Sequence, residues 1–209
     1  MSSRPVIDAG PALNFLAIDR QRLLIGVLGP ISTPETVEQE VLRKARTDAR
    51  FKSAARHWSK LTPKWIQVLS DDWPELEPVV ARIARMSMSQ RRRQAKDLGE
   101  LMVVAHALIR AEQGQNVTVV IDDQAGAALA TAEAQLLDGR RANGEPVGKL
   151  VLAGTRTILE GAVGLGLVEG RAEMRSLYAR LREVDDGLIP IDQTGLLSDQ
   201  VWMSVARPG

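Results

Sequence analysis

The chain has 209 residues, 44% hydrophobic and 25% charged, which predicts a soluble globular protein with a single core. Its net charge of +1 argues neither for nor against binding to nucleic acid, and no apolar run predicts a signal peptide or a membrane span. Cysteine is absent, which excludes disulfides, thiol catalysis and zinc–thiolate sites and is in keeping with a cytoplasmic protein.

The first part of the chain contains short strand and helix signals. Residues 6–7 predict the end of a first strand, and Pro11 suits the first turn of a short helix after it. Thr33 predicts a helix start as the N-cap, with Pro34 in the first turn. Residues 65–69 form a further strand-like run.

The second part alternates clearly between helix and strand patterns. The predicted elements are helix 98–113, strand 117–121, helix 124–137, a loop or insertion over 138–148, strand 149–152, helix 155–167 and a last helix over 174–184. This alternation favours an α/β architecture. One domain over residues 1–209, with insertions near 43–95 and 138–148, is the simplest organisation.

Four acidic residues each stand at the end of, or within, an apolar run: Asp8, Glu40, Glu100 and Asp122. Strand ends and inward helix faces are where an α/β fold gathers functional side chains. A carboxylate in such a place costs free energy unless it is paired or bound to a cation. No basic partner is obvious for these four, so they suggest a site for a hard divalent metal, which prefers oxygen ligands.

These motifs resemble those of the PIN-domain nucleases. VIDAGPALNFL resembles the opening of that family, and PETVEQEVL resembles its V-x-x-E-[LV] helix. LGELMVVAHAL followed by VVIDDQAGAALA resembles the VapC-like toxin branch, in which a G-E pair replaces the commoner Asp. The match spans most of the chain, with Gly10 as a departure where the family often has a hydroxyl residue.

The resemblance implies a three-layer α/β/α domain with a central parallel sheet and the activity of a metal-dependent endoribonuclease. Mg²⁺, or Mn²⁺ in its place, would be held by the site residues, which would be Asp8, Glu40, Glu100, Asp122 and Asp123. Asp97 would have an auxiliary role. A small antitoxin protein that fills the active-site groove and a homodimer are the partners that the toxin branch implies, besides the RNA substrate.

Basic residues lie just before the Glu100 helix and are candidates for binding RNA. They are Arg91, Arg92, Arg93 and Lys96. A solvated helix face is the alternative for such a run. Local alternatives also exist for two acidic positions, since Asp8 could simply cap a short helix and Asp122 could belong to a plain turn.

Two other function classes are open from the sequence. The first is a catalytically silent PIN-like module that only binds a protein partner. The presence of all four acidic residues argues against it. The second is a metal-dependent phosphatase of another α/β family. The first strand lacks the D-x-D pattern of an aspartyl-phosphate enzyme, so this reading ranks last.

Overall fold

A computed structural model of the protein describes residues 3–94 and 96–203. Its centre is a sheet of five parallel strands in the spatial order β3-β2-β1-β4-β5. The strands are β1 (Val6–Ile7), β2 (Ile31–Pro34), β3 (Ile66–Leu69), β4 (Val117–Val120) and β5 (Leu150–Ala153). Helices flank this sheet, and the predicted three-layer α/β/α class is confirmed.

The helices connect these strands and continue beyond the last one. They are α1 (Ala9–Ala17), α2 (Gln21–Leu28), α3 (Glu35–Thr47), α4 (Ala54–Leu61), α5 (Leu76–Ala84), α6 (Met88–Arg91), α7 (Leu98–Glu112), α8 (Gln124–Ala142), α9 (Thr155–Gly164), α10 (Arg171–Val184), α11 (Ile191–Thr194) and α12 (Asp199–Met203). Within the described part of the chain, none of them combines the length and apolarity needed to cross a membrane.

The strand order reverses between β1 and β4, and this reversal positions the site. From β1 the chain builds outwards through β2 and β3, then returns to place β4 on the other side of β1. Ile7 is in register with Val120, and the Asp8 amide donates to the Val120 carbonyl at 3.0 Å. In parallel sheets such a switch point opens a crevice at the carboxyl ends of the strands.

Helix α7 is the central helix of the core. Every residue from Leu101 to Ile109 is buried, a wider surface than the single apolar stripe that the sequence pattern indicates. The helix packs against α3, α5 and α8 and also covers β1, β2 and β4. A helix that is apolar on nearly all sides needs such complete enclosure, so the position of Glu100 in its first turn is rigidly defined.

Two local predictions at helix ends were wrong. Thr33 is not an N-cap: it lies in β2, where its hydroxyl donates to the Ile7 carbonyl at 3.1 Å, and α3 begins at Glu35. Helix α8 runs on to Ala142, so the loop predicted from residue 138 begins later. Arg140 and Arg141 in the last turn favour this extension, because cations stabilise a helix C-terminus.

The segment near 43–95 is part of the core of the domain. It supplies β3 at one edge of the sheet and helices α4 to α6. Trp58 is only 1% exposed, and its indole donates to Glu38 at 2.8 Å, so this side chain belongs to the core and is not a surface for stacking of bases.

Asp71 joins three elements of the fold. Its Oδ2 accepts from the amide of Thr36 at 2.7 Å and from the Thr36 hydroxyl at 2.6 Å, which fixes the start of α3. Its Oδ1 accepts from Nε2 of the buried His106, 3.1 Å away on α7. Burial alone would raise the pKa of Asp71, but the hydrogen bonds from His106 and Thr36 outweigh it and hold this pKa below its ordinary value.

We therefore expect Asp71→Ala to lower the free energy of unfolding by about 2–4 kcal/mol, because donors from Thr36 and His106 lose a buried acceptor. Urea denaturation near neutral pH measures this. The difference should shrink as the pH falls below about 4, since a carboxyl with a lowered pKa stabilises the fold only while it is ionised. Asp72→Ala, at a side chain that is 81% exposed, is the control and should have a much smaller effect. Equal effects of the two substitutions would contradict the role of Asp71.

Candidate active site

A cleft of about 600 Å³ opens where β1 and β4 end. Five acidic residues singled out in the sequence line it, and they are Asp8, Glu40, Glu100, Asp122 and Asp123. They come from the end of β1, from α3, from the first turn of α7 and from the end of β4. The fold thus brings together side chains from four separate segments, although their chemical roles stay predictions.

Asp8 is 5% exposed, and its two carboxylate oxygens differ in their hydrogen bonding. Oδ2 accepts from the Gly10 amide at 3.4 Å, as the N-cap of α1. Oδ1 is buried and has no hydrogen-bond partner among the described residues. A helix cap at this distance is long, so capping accounts for one oxygen and leaves the buried one unexplained.

The G-E pair at the start of α7 has a steric reason. A Cβ on Gly99 would lie 3.3 Å from Oε2 of Glu40 and 3.4 Å from Oδ1 of Asp8. The first distance is shorter than most Cβ contacts and the second is already van der Waals contact, so a side chain here would push against Glu40 and touch Asp8. Glycine at position 99 therefore lets the backbone of α7 pass directly beside the acidic side chains.

Glu40 has a basic partner that was not evident in the sequence. Nζ of Lys44, one helical turn later on α3, lies 2.8 Å from Oε1 of Glu40. Both side chains are partly exposed, and such pairs contribute little to stability. Lys44 also lines the cleft, where it places a cation next to the carboxylates.

Asp122 and Asp123 are held by two different helices. Asp122 accepts from the amide of Thr155 at 2.7 Å and from its hydroxyl at 2.5 Å, at the start of α9. Asp123 is the N-cap of α8 and accepts from the amides of Ala125 and Gly126 through Oδ1. The hydrogen bonds at Asp123 are those of an ordinary helix cap. Asp122 is instead oriented by hydrogen bonds from Thr155, at the start of α9.

The cleft disfavours the ionised forms of three of its carboxyl groups, those of Asp8, Glu100 and Asp122. Burial raises the pKa of Asp8 to about 7, and the nearby charges of Glu100 and Glu40 add to this effect. Burial also raises the pKa of Glu100, with further contributions from Glu40, Asp123 and Asp97. For Asp122 burial raises the pKa against the bonds from Thr155.

The donor set can be tested against the metal that the sequence suggests. As the side chains stand, no three histidine or acidic residues within 3–94 and 96–203 are arranged to hold a metal ion. The donor chemistry does fit, because oxygen ligands dominate the cleft and Oδ1 of Asp8 is buried without a partner. Ligation by several of these carboxylates would therefore require some of their side chains to move.

A further acidic residue of the cleft, Asp185, is absent from the site residues that the sequence suggests. It ends α10, lines the cleft and raises the pKa of Asp122. Its oxygens accept from Nδ2 of Asn14 at 2.7 Å and from the amide of Gly187 at 2.9 Å. Asn14 is 2% exposed in the otherwise apolar α1, and this polar interruption was the signal available in the sequence.

The basic residues predicted to bind RNA do not line the cleft. The Arg91 guanidinium donates to the carbonyls of Gln94 and Lys96, and it is 8% exposed. Arg92 donates to the Asp71 carbonyl and to the side chain of Asp72. Arg93 and Lys96 are exposed. The cations that do line the cleft are Lys44 and Arg156.

Comparison with protein-family models, with curated proteins and with solved structures finds no match for this chain. The site is therefore interpreted from its own geometry and chemistry.

We expect Asp8→Asn to stabilise the metal-free protein above neutral pH. The pKa of Asp8 is about 7 in the fold against about 3.9 in an unfolded chain. The ionised side chain therefore lowers stability progressively between about pH 4 and pH 7, by at most roughly 4 kcal/mol, and the amide removes this penalty.

Urea denaturation in EDTA from about pH 4 to about pH 9 measures the difference between Asp8→Asn and the wild type. The gain should be largest at alkaline pH and absent near the acid end of the range. Asp186→Asn, at a side chain that is 91% exposed, is the control and should show no such gain. A variant that is less stable than the wild type above neutral pH would refute the burial of an uncompensated charge at Asp8.

Proposed function

We propose that the protein is a metal-dependent endoribonuclease that hydrolyses RNA phosphodiester bonds in the acidic cleft. The observation that carries this proposal is the convergence of Asp8, Glu40, Glu100 and Asp122 on one cleft, with Oδ1 of Asp8 buried and unpartnered. Buried carboxylate oxygens in native proteins nearly always have a hydrogen-bond partner, so an unsatisfied one points to a function. A divalent cation would satisfy it and offset the negative charge that, together with burial, raises the pKa of Asp8.

Asp8, Glu40, Glu100 and Asp122 would hold Mg²⁺ or Mn²⁺, with Asp123 beside them. When bound, such an ion lowers the pKa of its water and offsets charge on the phosphoryl oxygens. Because the pKa of Asp8 is about 7, a proton competes for this carboxylate near neutral pH. Metal binding should therefore release a proton and strengthen as the pH rises.

Lys44 and Arg156 would contact the phosphate backbone on either side of the bond that is cut. Both line the cleft, and each is paired with one glutamate one helical turn away. These pairs are partly exposed, so a phosphate can replace or share the glutamate at little cost. Cations next to an acidic centre allow a polyanion to approach carboxylates that would otherwise repel it.

The shape of the site favours a polymer over a small phosphate ester. A second recess of about 410 Å³ adjoins the cleft and shares Gly10, Lys44, Asp185 and Gly187 with it. Together the two offer more space than a single phosphate ester requires. The choice of RNA as that polymer rests on the resemblance to the PIN-domain nucleases.

The same resemblance supports a role as the toxin of a type II toxin–antitoxin pair in the cytoplasm. In this proposal a small antitoxin occupies the groove, and the toxin forms a homodimer. The antitoxin would have to meet the carboxylates of the groove with basic side chains, because burying them without partners is costly. Co-expression with the product of an adjacent short reading frame, followed by purification of a complex, would test this partner.

The nuclease proposal predicts that Asp122→Asn lowers the rate of RNA cleavage by at least about 100-fold. A mixed RNA pool is incubated with Mg²⁺ or Mn²⁺, and EDTA should abolish cleavage by the wild type. Asp72→Asn, which keeps the cleft intact, is the matched control and should cleave normally. If the folded wild type binds Mn²⁺ in calorimetry but cuts no RNA, the nuclease assignment fails and the silent binding module is favoured.

We also expect Lys44→Gln to lower kcat/KM for RNA, since Lys44 would contact a phosphate of the strand next to the carboxylates. The slope of log(kcat/KM) against log[KCl] should become shallower by about 0.7, the value for one phosphate contact with a single strand. Lys52→Gln, at an exposed lysine outside the cleft, should leave the slope unchanged. Identical slopes for all three proteins would exclude a phosphate contact at Lys44.

A further inference from the structure

A small recess adjoins the cleft at Glu100, which lines both. Its volume is about 200 Å³, and it lies between the end of α5 and the first turns of α7 and α8. Most of its walls are apolar, and they are formed by Ala84, Met86, Leu101, Ala125, Gly126 and Leu129. The recess therefore provides an apolar surface immediately beside a carboxylate of the proposed active site.

Two polar side chains of the recess, those of Arg91 and Asp97, flank the loop that precedes α7. Arg91 is buried, and its guanidinium bonds to the carbonyls of Gln94 and Lys96 hold this loop in place. Asp97 has a left-handed backbone, with φ of 54°, and its carboxylate makes no hydrogen bond among the described residues. A free carboxylate accepts hydrogen bonds from the amino and ring N–H groups of nucleobases.

The size and lining of the recess restrict what it can hold. It is smaller than the cavities that usually take drug-sized ligands, which start at about 300 Å³. Apolar walls with the acceptors of Asp97 and Glu100 suit a flat heteroaromatic ring. These two carboxylates would repel a phosphate, and the Arg91 guanidinium, which is the cation of the recess, is already bonded to carbonyls. A single nucleobase meets these requirements, and the adjoining cleft would hold the phosphate to which that base is attached.

We propose that this recess binds one unstacked base of a single-stranded RNA substrate and so helps to set the position of cleavage. The inference rests on the proposed nuclease function and adds the form of RNA and the group that is recognised. Sequence-specific recognition of RNA uses bases that have left the stack, and these are most accessible in single strands and loops. Asp97 would then contact the base and not the metal.

Binding of labelled RNA by the Asp122→Asn protein tests the recess without the need for cleavage. Fluorescence anisotropy is measured with Mg²⁺ for a single-stranded oligonucleotide that the wild type cuts, or for a mixed-sequence oligonucleotide if none is cut. It is then repeated with one abasic ribose moved along the strand. Loss of the base at one position should raise Kd at least about fivefold, the lower range for stacking of one base. Abasic residues elsewhere should have a smaller effect.

Leu129→Trp in the same background fills the recess, and Leu136→Trp is its matched control. Leu136 lies two turns later on α8 and is 57% exposed. With Leu129→Trp the intact strand should bind about as weakly as the critical abasic strand, and removal of the base should have no further effect. With Leu136→Trp the original pattern should remain. If Leu129→Trp does not fold, Met86→Ala removes an apolar wall and should also reduce the dependence on the base.

Abasic strands that bind equally at every position would overturn the proposal, as would a Leu129→Trp protein that keeps the full loss at one position. Base-independent binding would leave the recess for a side chain of a protein partner. Failure of the nuclease proposal gives a different result. Cleavage of RNA without any dependence on a base would support the nuclease proposal and exclude base binding in the recess. Base-dependent binding without cleavage by the wild type would support base binding and exclude the nuclease.

Discussion

The pairing of β1 with β4 is the constraint on which the rest of the structure depends. β1 has only two residues, yet it is the middle strand, with β2 on one side and β4 on the other. The bond from the Asp8 amide to the Val120 carbonyl sets this register at the point where both strands end. A shift of one residue would reverse the side chains of β1 and remove Asp8 from the cleft.

The other carboxylates are held in place by contacts outside the cleft. Asp71 ties the start of α3 to α7, and these two helices carry Glu40 and Glu100. Thr155 at the start of α9 fixes Asp122. The like charges of the cleft oppose folding in the absence of a cation, and these well-satisfied hydrogen bonds offset that opposition. The unfavourable burial of charge in the cleft is thus separated from the contacts that stabilise the fold around it.

In the proposed nuclease, different parts of the cleft would have different roles in recognition. Carboxylates lie at the centre, Lys44 and Arg156 would contact phosphate, and the apolar recess beside Glu100 would hold a base. Phosphate contacts position a polynucleotide without reading its sequence, whereas contacts to a base supply the selectivity. Arg91 would act indirectly in this arrangement, by holding the loop that forms one wall of the recess, although its position in a basic run suggested direct contact with RNA.

The sequence by itself determined the alternation of strands and helices and the acidic residues that meet at the strand ends, because periodicity and strand-end position are local properties of the chain. It failed at helix ends such as Thr33 and Ala142, where contacts across the fold and the last-turn charges decide the boundary. Only the tertiary structure added Asp185 to the cleft, through a hydrogen bond from Asn14 that spans 171 positions. The same holds for the recess beside Glu100, because its lining comes from four helices and the loops between them, and no local pattern records which side chains meet across such distances.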